Sequence, residues 1–156
     1  MINIVTGKRN SGKTTHLKNF YEKSQKGAGF LSIKIFDNQS QHIGYNLLNL
    51  KTKIEVPFIR QIQHIPEIWN EKYKFGTYSF SIDGFKFAES IINNCQEEPI
   101  FIDEIGLLEI SEKKGFFNLL INNIHKDIYF SIRDIYIEDA KKIINIVTNI
   151  NTITIQ

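Results

Sequence analysis

The eight residues GKRNSGKT, at positions 7–14, constrain the fold of this chain more than any other part of its sequence. They match the pattern G-x-x-x-x-G-K-(S/T), which needs a strand before it and a helix after it. The preceding MINIVT is apolar enough for a short strand. Residues 14–24 follow with helical spacing, and one face carries Leu17, Phe20, Tyr21 and Ser24. A second apolar run, 29–36, then predicts a parallel strand joined by a right-handed crossover.

The residue types of this loop predict phosphate binding. Gly7 and Gly12 allow the backbone N–H groups to point at phosphate oxygens, and the following helix adds its positive N-terminal end. Lys13 is expected to reach the β- and γ-phosphates, and the Thr14 hydroxyl to ligate Mg²⁺. Lys8 has two interpretations, a solvated loop lysine or one that reaches a phosphate in a partner subunit. The predicted nucleotide contacts are Gly7, Lys8, Arg9, Asn10, Ser11, Gly12, Lys13, Thr14 and Thr15.

Two adjacent carboxylates follow an apolar run further along the chain. Residues 99–102 read as a buried strand, and Asp103 and Glu104 stand at its carboxyl end, the edge at which open α/β sheets bind ligands. Asp103 is therefore predicted to hold Mg²⁺ together with Thr14, directly or through water. Glu104 is predicted to orient and deprotonate an attacking water. The nearby acidic residues are interpreted as solvated charges: Glu97, Glu98, Glu109 and Glu112.

Strands and helices alternate along the rest of the chain. A helix is predicted over about 84–95, capped by Asp83, with an inward face of Phe85, Ala88, Ile92 and Cys95. A second helix is predicted from Ser111 or Glu112 to about His125, with Phe116, Phe117, Leu120, Ile121 and Ile124 inward. A strand over 127–132 and a helix over 136–147 follow, the helix with Ile137, Ala140, Ile144 and Val147 inward. The terminal NTITIQ alternates as a strand with one wet face.

The region between Gln41 and Ile59 has a different pattern. Ile54, Val56 and Phe58 alternate with polar residues or Pro57, which predicts an antiparallel hairpin or meander with the proline at an edge or a bulge. The whole pattern predicts one α/β domain over 1–156, a mostly parallel sheet with helices on both faces and an antiparallel hairpin addition.

Composition excludes several classes of protein. The net charge of +2 is too small to indicate a nucleic-acid partner. The chain has only three arginines, Arg9, Arg60 and Arg133, too few for a mechanism that clamps phosphate with several. No apolar run approaches the ~18–20 residues of a membrane span, and the first residues do not read as a signal peptide, which predicts a cytoplasmic protein. Cys95 is expected to be a buried structural thiol.

Three segments together resemble the small P-loop nucleoside-triphosphatase family that includes the human cancer-related nucleoside triphosphatase. They are the phosphate loop GKRNSGKTT, the stretch GTYSFSIDGF at 76–85, and FIDEIGLLEIS at 101–111 followed by Phe116. The resemblance implies a RecA-like domain that hydrolyses ATP, GTP and other nucleotides slowly, with broad base tolerance. It also implies that Arg133, after the strand that follows the DEIG helix, stabilises charge on the γ-phosphate.

The resemblance is incomplete on the substrate side. Where family members tend to carry an acidic residue and then an arginine before a Gly-aromatic pair, this chain has Lys34 and then QHIGY at 41–45. The hairpin region is therefore expected to contact substrate differently. Asn149 and Asn151 are the candidate contacts to the base.

Three functions fit these motifs. The first is Mg²⁺-dependent hydrolysis of nucleoside triphosphates, which the Glu after the metal-binding Asp favours because it can activate water. The second is a nucleotide or small-metabolite kinase, although an arginine-rich lid segment is missing from the sequence. The third is a non-enzymatic GTP- or ATP-binding adaptor, for which the guanine motif N-K-x-D is absent. The physiological nucleotide and the oligomeric state do not follow from the sequence.

Overall fold

A nine-stranded sheet forms the centre of the computed structural model, which describes residues 1–144 and 149–156. In chain order the strands are β1 (Ile2–Gly7), β2 (Ala28–Phe36), β3 (His42–Asn49), β4 (Glu55–Gln61), β5 (Glu71–Phe75), β6 (Tyr78–Ser81), β7 (Ile100–Ile105), β8 (Ile128–Arg133) and β9 (Ile150–Ile155). Their order across the sheet is β5-β6-β4-β3-β2-β7-β8-β1-β9. β1 and β2 are parallel as predicted, with β8 and β7 between them.

Helices cover both faces of the sheet. They are α1 (Lys13–Ser24), α2 (Ile82–Asn93), α3 (Leu107–Glu112), α4 (Phe117–Asn123) and α5 (Ile137–Ile143). On one face, α1 buries Leu17 and Tyr21 against β-strand residues that include Phe101. On the other, α2, α4 and α5 contribute to a larger apolar cluster. The predicted α/β fold with helices on both faces is confirmed.

The sheet consists of two halves that meet at β2. The parallel half is β7, β8, β1 and β9, all parallel to one another. The antiparallel half is β3, β4, β6 and β5. β2 pairs with β3 along Phe30–Phe36 but with β7 only along Ala28–Phe30. Past Phe30 the ladder between β2 and β7 ends, and a cleft opens at the carboxyl ends of these strands.

The antiparallel half is larger than the sequence predicted. β3 and β4 form the expected hairpin, and Pro57 lies at a register shift where Phe58 has no partner on β3, since a proline cannot donate to a regular ladder. The second hairpin, β5–β6, was not predicted. Its turn contains Gly76 with φ +60, a conformation that favours glycine.

Two predicted helix boundaries are wrong. The helix expected from 111 to about 125 is two short helices, α3 and α4, because Lys113 and Gly115 adopt left-handed conformations between them. The N-cap of α2 is Ser81 and not Asp83, since the Ser81 hydroxyl accepts a hydrogen bond from the Gly84 N–H at 3.0 Å.

Side-chain burial at the helix ends also differs from the predictions. Cys95 lies beyond the end of α2 and is half-buried, with its Sγ 3.2 Å from the Glu97 nitrogen. Phe117, Ile121 and Ile124 are likewise only half-buried. The predicted inward position of Val147 falls outside the described residues. Of the helices described, none has the length and apolar character that crossing a membrane requires.

Candidate active site

The phosphate loop connects β1 to α1, as its sequence predicts. Gly7 has no space for a side chain, because a Cβ there would lie 2.4 Å from the Ile155 carbonyl oxygen. Gly12 has φ +95, in the left-handed region that only glycine adopts readily. No side chain caps the first turn of α1, so the first N–H groups of this helix remain available to an anion.

Lys13 is the first residue of α1, and its side chain folds back onto the phosphate loop. Its Nζ donates to the carbonyl oxygens of Lys8 at 2.7 Å and Gly7 at 3.2 Å. Burial lowers the pKa of Lys13, and the nearby carboxylates of Glu104 and Asp103 oppose that shift. The ammonium group is therefore held at the loop by backbone carbonyls and faces two carboxylates, as expected for a cation that binds phosphate oxygens beside an acidic metal site.

Asp103 joins three elements through its carboxylate. Its side chain is 1% exposed. Oδ2 accepts hydrogen bonds from the Thr14 hydroxyl at 2.7 Å and from the Ser32 N–H at 3.0 Å, while Oδ1 accepts one from the Ser131 hydroxyl. Burial raises the pKa of Asp103, and these hydrogen bonds oppose the rise. α1, β2 and β8 thus all position this one group.

The donor atoms at this point fit Mg²⁺. Thr14 and Asp103 supply a hydroxyl and a carboxylate in contact with each other. Within residues 1–144 and 149–156, His, Cys, Asp and Glu form no cluster of three or more that could hold a metal. Mg²⁺ is usually held by one or two carboxylates together with substrate phosphates and water. The site therefore suits a cation that arrives with a nucleotide.

Glu104 has an unusual backbone. Its φ is +69, and the register between β7 and β8 shifts between Ile102 and Ile105. Its N–H donates to the Ser131 hydroxyl at 2.7 Å. A left-handed conformation costs a non-glycine residue about 1–2 kcal/mol, and such strain is concentrated at functional sites. The bulge, which the sequence did not predict, directs Glu104 away from the straight course of the strand.

The Glu104 side chain is exposed to the cleft although protein atoms surround it on most sides. That surrounding protein, and then the Asp103 charge, raise the pKa of Glu104 to about 7. Water that reaches the side chain through the cleft mouth moderates this effect. A carboxylate with a raised pKa beside Lys13 and Asp103 is suited to accept a proton during a reaction.

The other predicted nucleotide contacts lie around the same space. Arg133 ends β8, next to Gly7 in the register, and its guanidinium lies 5.7 Å from the centre of the Tyr136 ring. Arg9, Asn10 and Thr15 also line the cleft. Three further loop residues, Gly7, Lys8 and Ser11, do not line the cleft. The Lys8 side chain is exposed. The Ser11 hydroxyl is buried and has no hydrogen-bond partner among the described residues.

Glu109 is a site residue that the sequence reasoning missed. It is 5% exposed, and its carboxylate accepts the N–H groups of Gly106 at 2.9 Å and Phe116 at 3.0 Å. Burial raises its pKa to about 7, against the effect of these bonds. The prediction that Glu109 is a solvated charge is therefore wrong. The signal was the spacing G-x-x-E, in which a glutamate at the third helical position bonds back to the N-cap N–H.

Asn149 and Asn151 lie at the amino ends of the parallel strands, whereas the phosphate loop lies at their carboxyl ends. β9 is parallel to β1, with Ile150 beside Ile2 and Ile155 beside Gly7. Asn151 donates to the Asn3 side chain at 3.2 Å. Asn151 is four residues from Ile155, which lies beside Gly7, and Asn149 is six residues from it, which corresponds to about 13 Å and about 20 Å along a strand. Their prediction as contacts to the base is wrong.

A continuous cleft of about 660 Å³ runs from the phosphate loop to the antiparallel half. That volume is within the usual range for small-molecule sites. The parallel half and the loop contribute charged and polar groups, among them Lys13, Asp103, Glu104 and Arg133. The antiparallel half contributes an aromatic wall, defined as Tyr45, Phe58, Ile59, Phe75, Tyr78 and Phe80.

Comparison with known proteins agrees with this geometry. A family model described as NTPase matches residues 3–148. The chain belongs to this NTPase family. Curated proteins provide no match. Among solved structures, the fold is similar to the crystal structure of THEP1 from the hyperthermophile Aquifex aeolicus, with a TM-score of 0.70 and 18% identity over 100% of this chain and 90% of that one.

A second solved structure has the same fold. It is the solution structure of a human cancer-related nucleoside triphosphatase, with a TM-score of 0.64 and 18% identity over 98% of this chain and 87% of that one. At this identity the likeness concerns the fold alone. It confirms the predicted α/β architecture, in which helices flank a central sheet with a parallel half and an antiparallel addition.

Proposed function

We propose that this NTPase-family protein hydrolyses nucleoside triphosphates to the diphosphate and phosphate in a Mg²⁺-dependent reaction with broad tolerance for the base. One observation carries the proposal. The 2.7 Å hydrogen bond from Thr14 to Asp103 joins the phosphate loop to the carboxylate strand, and Glu104 is the next residue. The two parts of a metal-nucleotide site are therefore adjacent. We also propose that residues 1–156 are one domain, since one sheet runs through both halves.

Each residue has a distinct part in the proposed reaction. The phosphate-loop N–H groups and Lys13 bind the β- and γ-phosphates. Thr14 and Asp103 would hold Mg²⁺, which when bound neutralises charge on the phosphates. Glu104 orients the attacking water and accepts its proton. Arg133 stabilises charge that develops on the γ-phosphate. Lys13 has no acidic partner at hydrogen-bonding distance in the described chain, so its charge is available to the phosphates.

Broad base tolerance is supported by where the charged groups lie. The loop backbone, Lys13 and Asp103 all surround the position of the triphosphate and its metal, which every nucleoside triphosphate has in common. Recognition that depends on the triphosphate discriminates little among bases. A panel of ATP, GTP, CTP and UTP, assayed for phosphate release with and without Mg²⁺, tests both the base tolerance and the Mg²⁺ dependence. Rates within about tenfold of one another are expected, a difference of ~1.4 kcal/mol in barrier.

The Glu104→Gln substitution tests the hydrolytic role directly. Glutamine keeps the size of the side chain and removes the base, so we expect Mg²⁺-ATP binding to remain while kcat falls by about 10²-fold or more. Asp103→Asn is the matched comparison, and it is expected to raise the Mg²⁺ concentration needed for half-maximal rate as well. Wild-type turnover in Glu104→Gln would contradict the assignment of this residue as the base.

A further inference from the structure

The aromatic wall is larger and more apolar than hydrolysis requires. The cleft of about 660 Å³ is lined by the phosphate loop on one side and by the aromatic wall on the other. The loop side would hold the triphosphate, and an attacking water takes up only about 30 Å³. None of the six wall residues carries a charge. Apolar and aromatic pockets with a few polar groups are the kind that bind small organic molecules. The wall therefore has the character of a binding site that a triphosphate and a water do not use.

The aromatic wall faces the γ-phosphate end of the nucleotide site. β8 and β7 lie between β1 and β2, and every wall residue belongs to a strand beyond β2. Glu104 lies near the carboxyl end of β7, between the phosphate loop and the wall. A molecule on the wall would therefore approach the γ-phosphate from the side of Glu104. This is the side from which the proposed water attacks.

Contacts within the protein hold the wall in place. Arg60 fixes the β3–β4 bulge by donating to the carbonyl oxygen of Tyr45 at 2.9 Å and to the side chain of Asn46 at 2.7 Å. The Phe58 ring lies 5.2 Å from that of Phe116. Burial raises the pKa of Tyr45, and the neighbouring Glu104 charge adds to this effect. Tyr45 and Glu104 both line the same cleft.

The side chains of the wall favour an uncharged ring, because none of them carries a charge. Of the basic residues that line the cleft, Arg9 and Lys34 lie beside Tyr45, at the edge of the wall nearest β2, whereas Lys13 and Arg133 belong to the phosphate side. In the described chain the wall itself offers only the hydroxyls of Tyr45 and Tyr78 as polar groups. Aromatic side chains pack favourably on planar rings. A neutral planar ring that carries a hydroxyl group matches this lining.

We propose that the aromatic wall binds a neutral aromatic alcohol as a second substrate and that the γ-phosphoryl group is transferred to its hydroxyl. The inference rests on the proposed function, since it uses the same nucleotide site. The acceptor oxygen forms a bond to the γ-phosphorus while the bond to the β–γ bridging oxygen breaks. The diphosphate leaves with that electron pair, and Glu104 takes the hydroxyl proton. Hydrolysis is the same reaction with water as the acceptor.

The test uses the full chain with Mg²⁺-ATP and three probes: benzyl alcohol, 2-phenylethanol and indole-3-ethanol. Phosphorus NMR separates a phosphate monoester from inorganic phosphate. We expect at least one probe to give its monoester while ethanol, which has the hydroxyl without the ring, gives none at the same concentration. Release of phosphate without any monoester overturns the acceptor site and leaves the hydrolase intact. No product of either kind overturns both proposals.

Variants of the wall test where the acceptor binds. Tyr78→Ala is expected to raise the KM for the aromatic alcohol about tenfold, through loss of ring packing, and to lower the ratio of monoester to phosphate. Phe75→Ala provides the same test if Tyr78→Ala does not fold. Phe36→Ala is the matched control, because Phe36 is a 55% exposed aromatic outside the cleft lining, and its product ratio should equal that of the wild type. An unchanged ratio in both wall variants overturns the site.

Discussion

The parallel and antiparallel halves meet at β2, yet they build their sides of the cleft by different means. On the parallel side, Asp103 is fixed by hydrogen bonds from three elements. On the antiparallel side, the Phe58 ring packs against the rings of Phe80 and Phe85, with distances between ring centres of 5.7 Å and 4.9 Å. A buried charge must be satisfied by specific partners, whereas an aromatic wall needs only close packing. One sheet can therefore present two chemistries to one ligand site.

Loss of packing in the antiparallel half should have the largest effect on stability. Phe58→Ala removes a ring that is 3% exposed, and the cavity is expected to cost about 3–5 kcal/mol of unfolding free energy. Urea denaturation measures the change. Phe36→Ala, at an exposed position, should cost no more than about 0.5 kcal/mol. A loss below 1 kcal/mol for Phe58→Ala would mean that packing does not hold this wall.

The parallel half should instead respond to pH through Glu109. Its pKa in the folded protein is about 7, against 4.5 for the free side chain. The folded state therefore binds the proton more tightly, so stability falls as pH rises from about 4.5 to about 7, by up to about 3 kcal/mol. Glu109→Gln does not titrate and should lose this part of the pH dependence.

Glu104 titrates in the same range, so the pH comparison is made in the Glu104→Gln background. Urea midpoints at pH 4.5, 5.5 and 7 are compared with and without Glu109→Gln. The stability of the Glu104→Gln protein relative to the double variant should decrease as pH rises. If the urea midpoints of the two proteins changed equally with pH, Glu109 would not bind its proton more tightly in the folded state.

Nucleotide affinity should depend on the parallel half through Lys13. Lys13→Ala removes a cation aimed at the phosphates, which is expected to cost about 1.5–3 kcal/mol, or ten- to a hundredfold in Kd. Isothermal titration with Mg²⁺-ATP measures this. Lys18→Ala is the control, since Lys18 is an exposed lysine of α1 that pairs with Glu22 at 3.9 Å, and it should bind as the wild type does. If the two variants bound Mg²⁺-ATP with equal affinity, the loop would have only a structural role.

The smallest expected effect concerns the backbone at Glu104. Glycine adopts φ +69 without the penalty that a Cβ brings. Both Glu104→Gly and Glu104→Ala remove the carboxylate, but only glycine relieves the strain. We expect the free energy of unfolding of the glycine variant to exceed that of the alanine variant by about 1 kcal/mol. This difference already includes the greater conformational entropy of glycine in the unfolded chain. A more stable alanine variant would show that Glu104 is not strained.

The contiguous motifs of the site could be predicted, because each carries its chemistry in a few neighbouring residues. The loop at 7–14 and the pair Asp103-Glu104 needed only a strand or helix beside them. Glu109 was misread because its burial depends on the Phe116 N–H, seven residues away, after a chain reversal at Lys113 and Gly115. Local charge alone does not reveal such a contact.

The register and extent of the sheet were the parts that could not be predicted. Asn149 and Asn151 were placed near the nucleotide because they are close to the end of the chain, whereas the pairing of β9 with β1 sets their position. The Glu104 bulge likewise depends on a register shift against β8. Cross-strand pairing is a long-range property, and the alternation within a single strand does not specify its partner.

Mechanically, β2 couples the two walls of the cleft. Past Phe30 it has no ladder to β7, and the Ser32 N–H bonds to the Asp103 carboxylate at 3.0 Å instead. The width of the gap at this point is therefore set by the length of one side chain. β2 in turn pairs with the antiparallel half along its other edge. A displacement of the Asp103 carboxylate would therefore be transmitted to the aromatic wall through the Ser32 hydrogen bond and β2.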